Sequence, residues 1–153
     1  MADLNMSNRA VVVNGGKISP GNYNASKKGI YDELTLVAEL AVNDELLMDK
    51  IPEGARIINA FVKSDSLGVT GILDLGLKAY VNKAAVTIAE DQDSLVDQAD
   101  AGGQKVLKNS GLNSVAIGAI VGKGGAQPFL KCTELSTAGT GIKVIAVIEY
   151  IID

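Results

Sequence analysis

The sequence predicts a mainly β protein: an antiparallel two-sheet sandwich, jelly-roll or Greek-key, with one short helix and an extended N-terminal arm. Three observations carry this expectation. Apolar and polar residues alternate over several short runs, as strands with one buried face require. Gly, Pro, Asn, Asp and Ser form turn signals between those runs at intervals of about ten residues. The chain has 153 residues, 47% of them apolar, which fits one domain burying roughly two thirds of its unfolded surface.

Residues 1–33 read as the arm and 34–153 as the sandwich body. The arm is rich in Asn and Ser, is punctuated by Gly15-Gly16 and Pro20-Gly21, and holds one apolar run, Ala10-Val11-Val12-Val13. From Leu34 the pattern turns to period two, with Leu34, Leu36, Ala38, Leu40 and Val42 on one face, and Asn43-Asp44 ends that run. Glu45 to Met48 resumes, and Ile51-Pro52-Glu53-Gly54-Ala55 is a turn in which Pro pre-sets φ and Gly tolerates φ > 0. The strand Arg56–Lys63 places Ile58, Ala60 and Val62 on one face and Ile57, Asn59 and Phe61 on the other. After Ser64-Asp65-Ser66-Leu67-Gly68, Leu73, Leu75, Leu77, Ala79 and Val81 make the cleanest amphipathic strand in the chain.

The short helix is expected at Asp93–Asp100, where Leu95, Val96 and Ala99 share helical spacing and Gly102-Gly103 stops it. Gln104–Lys108 reads as a short strand, and Val115–Val121 as helix or strand, interrupted by Gly118. Pro128 requires that the strand Phe129–Thr133 begins there or lies on an edge. The last run, Ile142–Ile152, is mostly apolar and β-branched, with Lys143 and Glu149 its only charges, and belongs in the middle of a sheet.

Composition narrows the chemistry. With no His there is no imidazole base, no Ser-His-Asp or Cys-His arrangement and no His-ligated metal. The single Cys132 excludes an intrachain disulfide, a CxxC pair and a multi-Cys zinc site, and reads as a small buried hydrophobe. Gly118-Ala119-Ile120-Val121-Gly122-Lys123-Gly124-Gly125 fails as a phosphate loop, having the wrong spacing and no Ser or Thr after the Lys. Glu90, Asp91, Asp93, Asp97 and Asp100 form an acidic cluster that begins like a calcium loop but lacks its central Gly and terminal Glu, so it reads as a solvated face. No catalytic residue, cofactor or metal is expected, and the chain reads as a non-enzyme.

Charge is uneven. Residues 1–31 hold Arg9, Lys17, Lys27 and Lys28 against Asp3, a balance of +3, while the rest carries −7 within a total of −4. Such an acidic body argues against a nucleic-acid partner. The longest apolar runs fall far short of the ~20 residues of a membrane-spanning helix, and the polar opening Met1-Ala2-Asp3-Leu4-Asn5 is unlike a secretion signal. The arm reads either as a solvated tail, or as a segment lying against its own acidic body, or as a docking element through Arg9, Val11, Val12, Val13, Lys17, Lys27 and Lys28: the valines as a strand added to a neighbour's sheet edge, the cations against an acidic surface.

One group of proteins shares this layout. An alternating strand, an Asn-Asp turn, Ile51-Pro52-Glu53-Gly54-Ala55-Arg56 leading into a strand, Ser66-Leu67-Gly68 before another, and Gly139-Thr140-Gly141-Ile142-Lys143-Val144 running to Glu149-Tyr150-Ile151 together resemble small head-decoration (capsid cement) proteins of tailed bacteriophages. The similarity covers residues 34–81 and 139–151, and the arm and the segment 82–110 lack a counterpart. It implies a β-sandwich that forms a homotrimer on the outer capsid surface, partners the major capsid protein and is assembled in the cytoplasm of the bacterial host. The alternatives are another virion component (neck, tail or head-fibre protein) and a carbohydrate-binding sandwich, which the absence of Trp disfavours.

Overall fold

The computed structural model describes the backbone of residues 4–5, 7–12, 27–111 and 114–152, with side chains described from residue 27 onward. Twelve strands account for the regular structure: β1 (Leu4–Asn5), β2 (Ser7–Val12), β3 (Lys27–Thr35), β4 (Glu45–Leu47), β5 (Ala55–Ser64), β6 (Ile72–Leu77), β7 (Tyr80–Val81), β8 (Thr87–Ile88), β9 (Asp91–Asp100), β10 (Val106–Asn109), β11 (Pro128–Glu134) and β12 (Lys143–Ile152). They form two five-stranded sheets, ordered β1-β4-β11-β6-β9 and β10-β5-β12-β3-β2, plus the small hairpin β7-β8. All pairings are antiparallel except β1 with β4. No helix occurs among the described residues.

One core lies between the two large sheets. The β6–β9–β11 sheet contributes Leu73, Leu75, Leu77, Leu95, Val96, Leu130 and Cys132; the other contributes Ile30, Ala60, Val62, Val144, Ala146 and Ile148. The dense terminal strand sits where its composition places it: β12 lies between β5 and β3, with Val144, Ala146, Ile148 and Tyr150 buried. Pro128 opens β11, an inner strand, so its missing N–H falls at the strand start.

Several expectations are corrected. Asp93–Asp100 is not a helix but most of β9, paired with β6. Its register slips twice, between Leu73/Leu75 and between Leu75/Leu77, and Gln98 takes φ 52°. Such bulges break the two-residue period. They let Leu95, Val96 and Ala99 all be buried on a strand, so the apolar spacing mimics a helix.

The strand expected from Leu34 to Val42 lies earlier. β3 runs from Lys27 to Thr35, so the arm–body boundary drawn after residue 33 falls inside it, with Lys27–Glu33 already paired to β12. Beyond Thr35 the backbone bonds pass to a facing loop instead: Leu36 N–H to Ile142 O at 2.7 Å and Leu40 N–H to Ser136 Oγ at 2.6 Å. Only Leu36 and Leu40 are buried there, while Val37 and Val42 face solvent.

The amphipathic strand from Leu73 stops at Leu77, and Tyr80–Val81 turns away into the hairpin with β8. In β5, Asn59 faces Glu149 but Ile57 faces Tyr150, so Ile58 is an extra residue. That bulge swings Ile57 into the core with Ala60 and Val62, against the face expected for it. Val115–Val121 is neither helix nor strand: residues 115–118 form turns, then Ile120 and Val121 make isolated bridges to Arg56 and Asn82.

Candidate docking surfaces

The groups best placed for chemistry prove inert or crowded. Cys132 is buried, and burial pushes its thiol up to about 11, so it remains protonated in neutral solution. Its Sγ lies 3.0 Å from Glu134 O. Lys78 is ion-paired to Glu45 at 2.5 Å and Glu90 at 3.5 Å, and it lies 4.2 Å from the Phe129 ring centre. Burial opposes its charge, but the two carboxylates prevail and raise its pKa.

The acidic cluster lies on β9, the outermost strand of its sheet. Asp74, buried on β6, accepts the Gln98 N–H at 2.7 Å and the Gln92 side-chain amide at 3.1 Å; burial raises its pKa. Asp93 is raised to about 6 by the hydrogen bond it shares with Asp91, then by burial and by the charges of Asp91, Asp97 and Asp74. Asp93 and Asp97 face Lys108, Asn109 and Ser114 across an open cleft of about 410 Å³ between β9 and β10. Among the described residues no three acidic or Cys side chains are grouped to hold a metal ion.

The expected docking residues divide. Arg9, Val11 and Val12 lie on β2, whose backbone pairs with Tyr31, Gly29 and Lys28 of β3 in the same chain. The run expected to seek a neighbour's sheet edge thus occupies its own, and Leu4–Asn5 likewise edges β4. Val13 and Lys17 lie outside the described residues. Lys27 is ion-paired with Glu149 at 2.7 Å, and Lys28 is half-buried opposite Tyr150. Lys27 is thus engaged within its own sheet, and Lys28 sits on the same strand.

The sheet face offers a second surface. On the outward side of the β5–β12–β3 sheet, Phe61, Val147 and Tyr31 stand in one row and Lys63, Ile145 and Glu33 in the next. Phe61, Tyr31 and Ile145 are half-exposed. Glu33 accepts Tyr31 OH at 2.9 Å and pairs with Lys143 at 3.1 Å; Lys143 and then Tyr31 lower its pKa. Exposed Leu107 extends the apolar stripe onto β10 beside Lys63.

Neither a family model nor a curated protein matches this sequence. Solved structures do match in shape. A chain of "Capsid of Ralstonia phage GP4" superimposes with a TM-score of 0.66 over 91% of this chain and 93% of its own, at 17% identity. A chain of "Cyanophage Pam1 capsid asymmetric unit" gives 0.64 over 92% and 95%, at 13% identity. Both chains share the whole two-sheet fold, not a fragment of it.

Proposed function

We propose that the chain is a non-enzymatic virion structural protein that decorates an assembled phage head from outside and stabilises it. The observation carrying this reading is the end-to-end likeness to chains of two phage capsid structures, over more than nine tenths of both partners. Topology supports it. Apart from β6 and β9, which pair within one sheet, successive strands among β3–β6 and β9–β12 change sheet, giving orders β3-β12-β5-β10 and β4-β11-β6-β9; we read this as the proposed jelly roll, an architecture common in viral shells. The major capsid protein is the proposed partner. A ligand that binds only the assembled shell stabilises it by mass action.

The outward stripe of half-exposed Tyr31, Phe61 and Ile145 with exposed Leu107 supports self-association, for which a homotrimer is the proposed form, since a sandwich alone leaves these side chains partly uncovered. Multivalent attachment would then strengthen weak single contacts.

The test is direct. Particles purified from the parent virus, resolved by mass spectrometry and labelled with antibody, should carry the chain on the head exterior. Heads lacking it should rupture at lower temperature and recover when the purified chain is added back. Its absence from particles, or heads equally stable without it, refutes the reading. A monomer by light scattering at micromolar concentration refutes the trimer alone.

A further inference from the structure

Four connections meet at one end of the sandwich: residues 36–44 between β3 and β4, 65–71 between β5 and β6, 101–105 between β9 and β10, and 135–142 between β11 and β12. Of the seven large apolar side chains exposed among the described residues, four lie on this end. Val37 and Val69 are each 82% exposed and Leu135 50%, with Val42 on the flank. Their neighbours Leu36, Leu40, Leu67 and Ala101 are buried beneath them. Folding thus gains nothing from the outer set.

These residues are held firmly. Val69 N–H donates to Thr137 Oγ1 at 2.6 Å, Thr70 Oγ1 donates to Leu135 O at 2.6 Å, and Thr140 Oγ1 donates to Val37 O at 3.2 Å. Each exposed apolar residue is therefore fastened, directly or through its neighbour, to another loop. At Gly139 a Cβ would come within 2.2 Å of the Ala38 carbonyl, so glycine lets two of the loops touch backbone to backbone. A surface ordered in advance loses little entropy on binding.

The rim settles the kind of partner. Glu39 and Glu134 are exposed there, and among the described residues neither has an ion-pair partner. Among the described residues, Asp44 and Asp100 add carboxylates that accept only backbone N–H groups, from Ala41 at 2.8 Å and Gly102 at 2.9 Å, while Asp65 pairs with Lys105 at 3.7 Å and Lys143 with Glu33 at 3.1 Å. A second copy docked end to end would set like charges against each other, and phosphate would be repelled as well. We infer that this loop end docks, through Val37, Val69 and Leu135, on a foreign protein surface with an apolar centre and a basic rim. The inference rests on the decoration reading, which makes that surface part of the assembled shell.

The experiment measures cosedimentation of the full chain with shells stripped of it, comparing wild type with Val69→Asp, Leu135→Asp, the double variant Glu39→Gln/Glu134→Gln, and a chain lacking residues 1–26. Each Asp variant should bind at least about tenfold more weakly, as a central apolar contact does when truncated, while its melting temperature matches wild type. The double Gln variant should bind a few-fold more weakly, with a flatter salt dependence. Folded Asp variants that bind like wild type overturn the inference and leave decoration standing. So does loss of binding confined to the chain lacking residues 1–26, which would assign the contact to the N-terminal segment. Asp variants that lose binding only because self-association is lost, seen by sedimentation velocity without shells, also overturn it. Wild type that does not bind shells refutes decoration, and this inference with it.

Discussion

Replacing Asp93 by Asn is expected to stabilise the protein near neutral pH and to remove part of its pH dependence. Asp93 shares a hydrogen bond with Asp91 and lies near Asp97 and Asp74, which raises its pKa from 3.8 to about 6. A carboxyl group that holds its proton more tightly when folded adds stability below its unfolded pKa, and that stability is lost as pH rises through the folded value. The relevant window runs from about pH 4 to about pH 6. A rise of about two pH units corresponds to about 3 kcal/mol for a fully buried group. Asp93 is exposed, so water screens its neighbours and leaves about 1 kcal/mol. Urea denaturation of wild type and Asp93→Asn at pH 4.5 and 7.5 gives four stabilities. Glu33, whose pKa is lowered, changes stability in the opposite sense but equally in both proteins, so it cancels in the comparison. The Asp93→Asn variant should gain about 1 kcal/mol over wild type at pH 7.5 and clearly less at pH 4.5, near the acid end of that window. A gap that is the same at both pH values, or a variant less stable at pH 7.5, refutes the crowding argument.

Three further outcomes are expected from chemical or thermal denaturation. Ile148→Ala empties a fully buried site in the central strand of its sheet and should cost about 2–5 kcal/mol. Lys78→Met leaves buried Glu45 without its cation; since Lys78 is partly exposed, the loss should be about 1–3 kcal/mol, and Glu45→Gln in the same background should recover part of it. Gly139→Ala forces a methyl against backbone that cannot withdraw and should cost about 3 kcal/mol, with limited proteolysis cutting first within residues 36–44.

Much of the fold is legible in the sequence because two of the longer strands obey simple patterns. β12 announces an inner position through a nearly unbroken β-branched run, and Pro128 marks where β11 starts. The failures share a cause, a polar or extra residue in a place that binary patterning does not allow. β3 reads as arm because Asp32 occupies an inward position between Ile30 and Leu34, where it accepts the Asp49 N–H at 3.1 Å. One extra residue at Ile58 reverses the expected face of Ile57, and two slips in β9 produce helical spacing. Residues 36–42 alternate like a strand, yet their hydrogen bonds pass to the 135–142 loop, a long-range pairing that no local pattern encodes. The loop end is hidden for the same reason, since Val37 and Val42 read as parts of a strand. The acidic cluster is visible in the sequence, but its crowding arises from the fold of β9, which sets Asp93 against Asp91 and Asp97, with Asp74 of β6 adding its charge.

The distribution of free strand edges limits how such a molecule can associate. On one side of the sandwich, Leu4–Asn5 pairs with β4 and Ser7–Val12 with β3, which leaves the two-residue β1 and the six-residue β2 as the outermost described strands there. On the other side β9 and β10 are outermost among the described strands, and each is poorly suited to accept another strand. β9 is bulged twice and presents Asp93 and Asp97, while β10 is four residues long and carries Lys108. Short, bulged and charged edges are the usual defence against edge-to-edge pairing. Crowded carboxylates on one flank also make identical copies repel there at low salt. Two apolar surfaces escape these restrictions: the outward stripe around Phe61 and Leu107, and the loop end bearing Val37, Val69 and Leu135. They lie on different sides of the sandwich, one across a sheet face and the other at the strand ends, so one can hold sister copies while the other faces a shell. For the proposed decoration, a free face and a free end together suit a unit that spreads over a preformed surface, with short or charged edges on the β9–β10 side opposing growth through its strands.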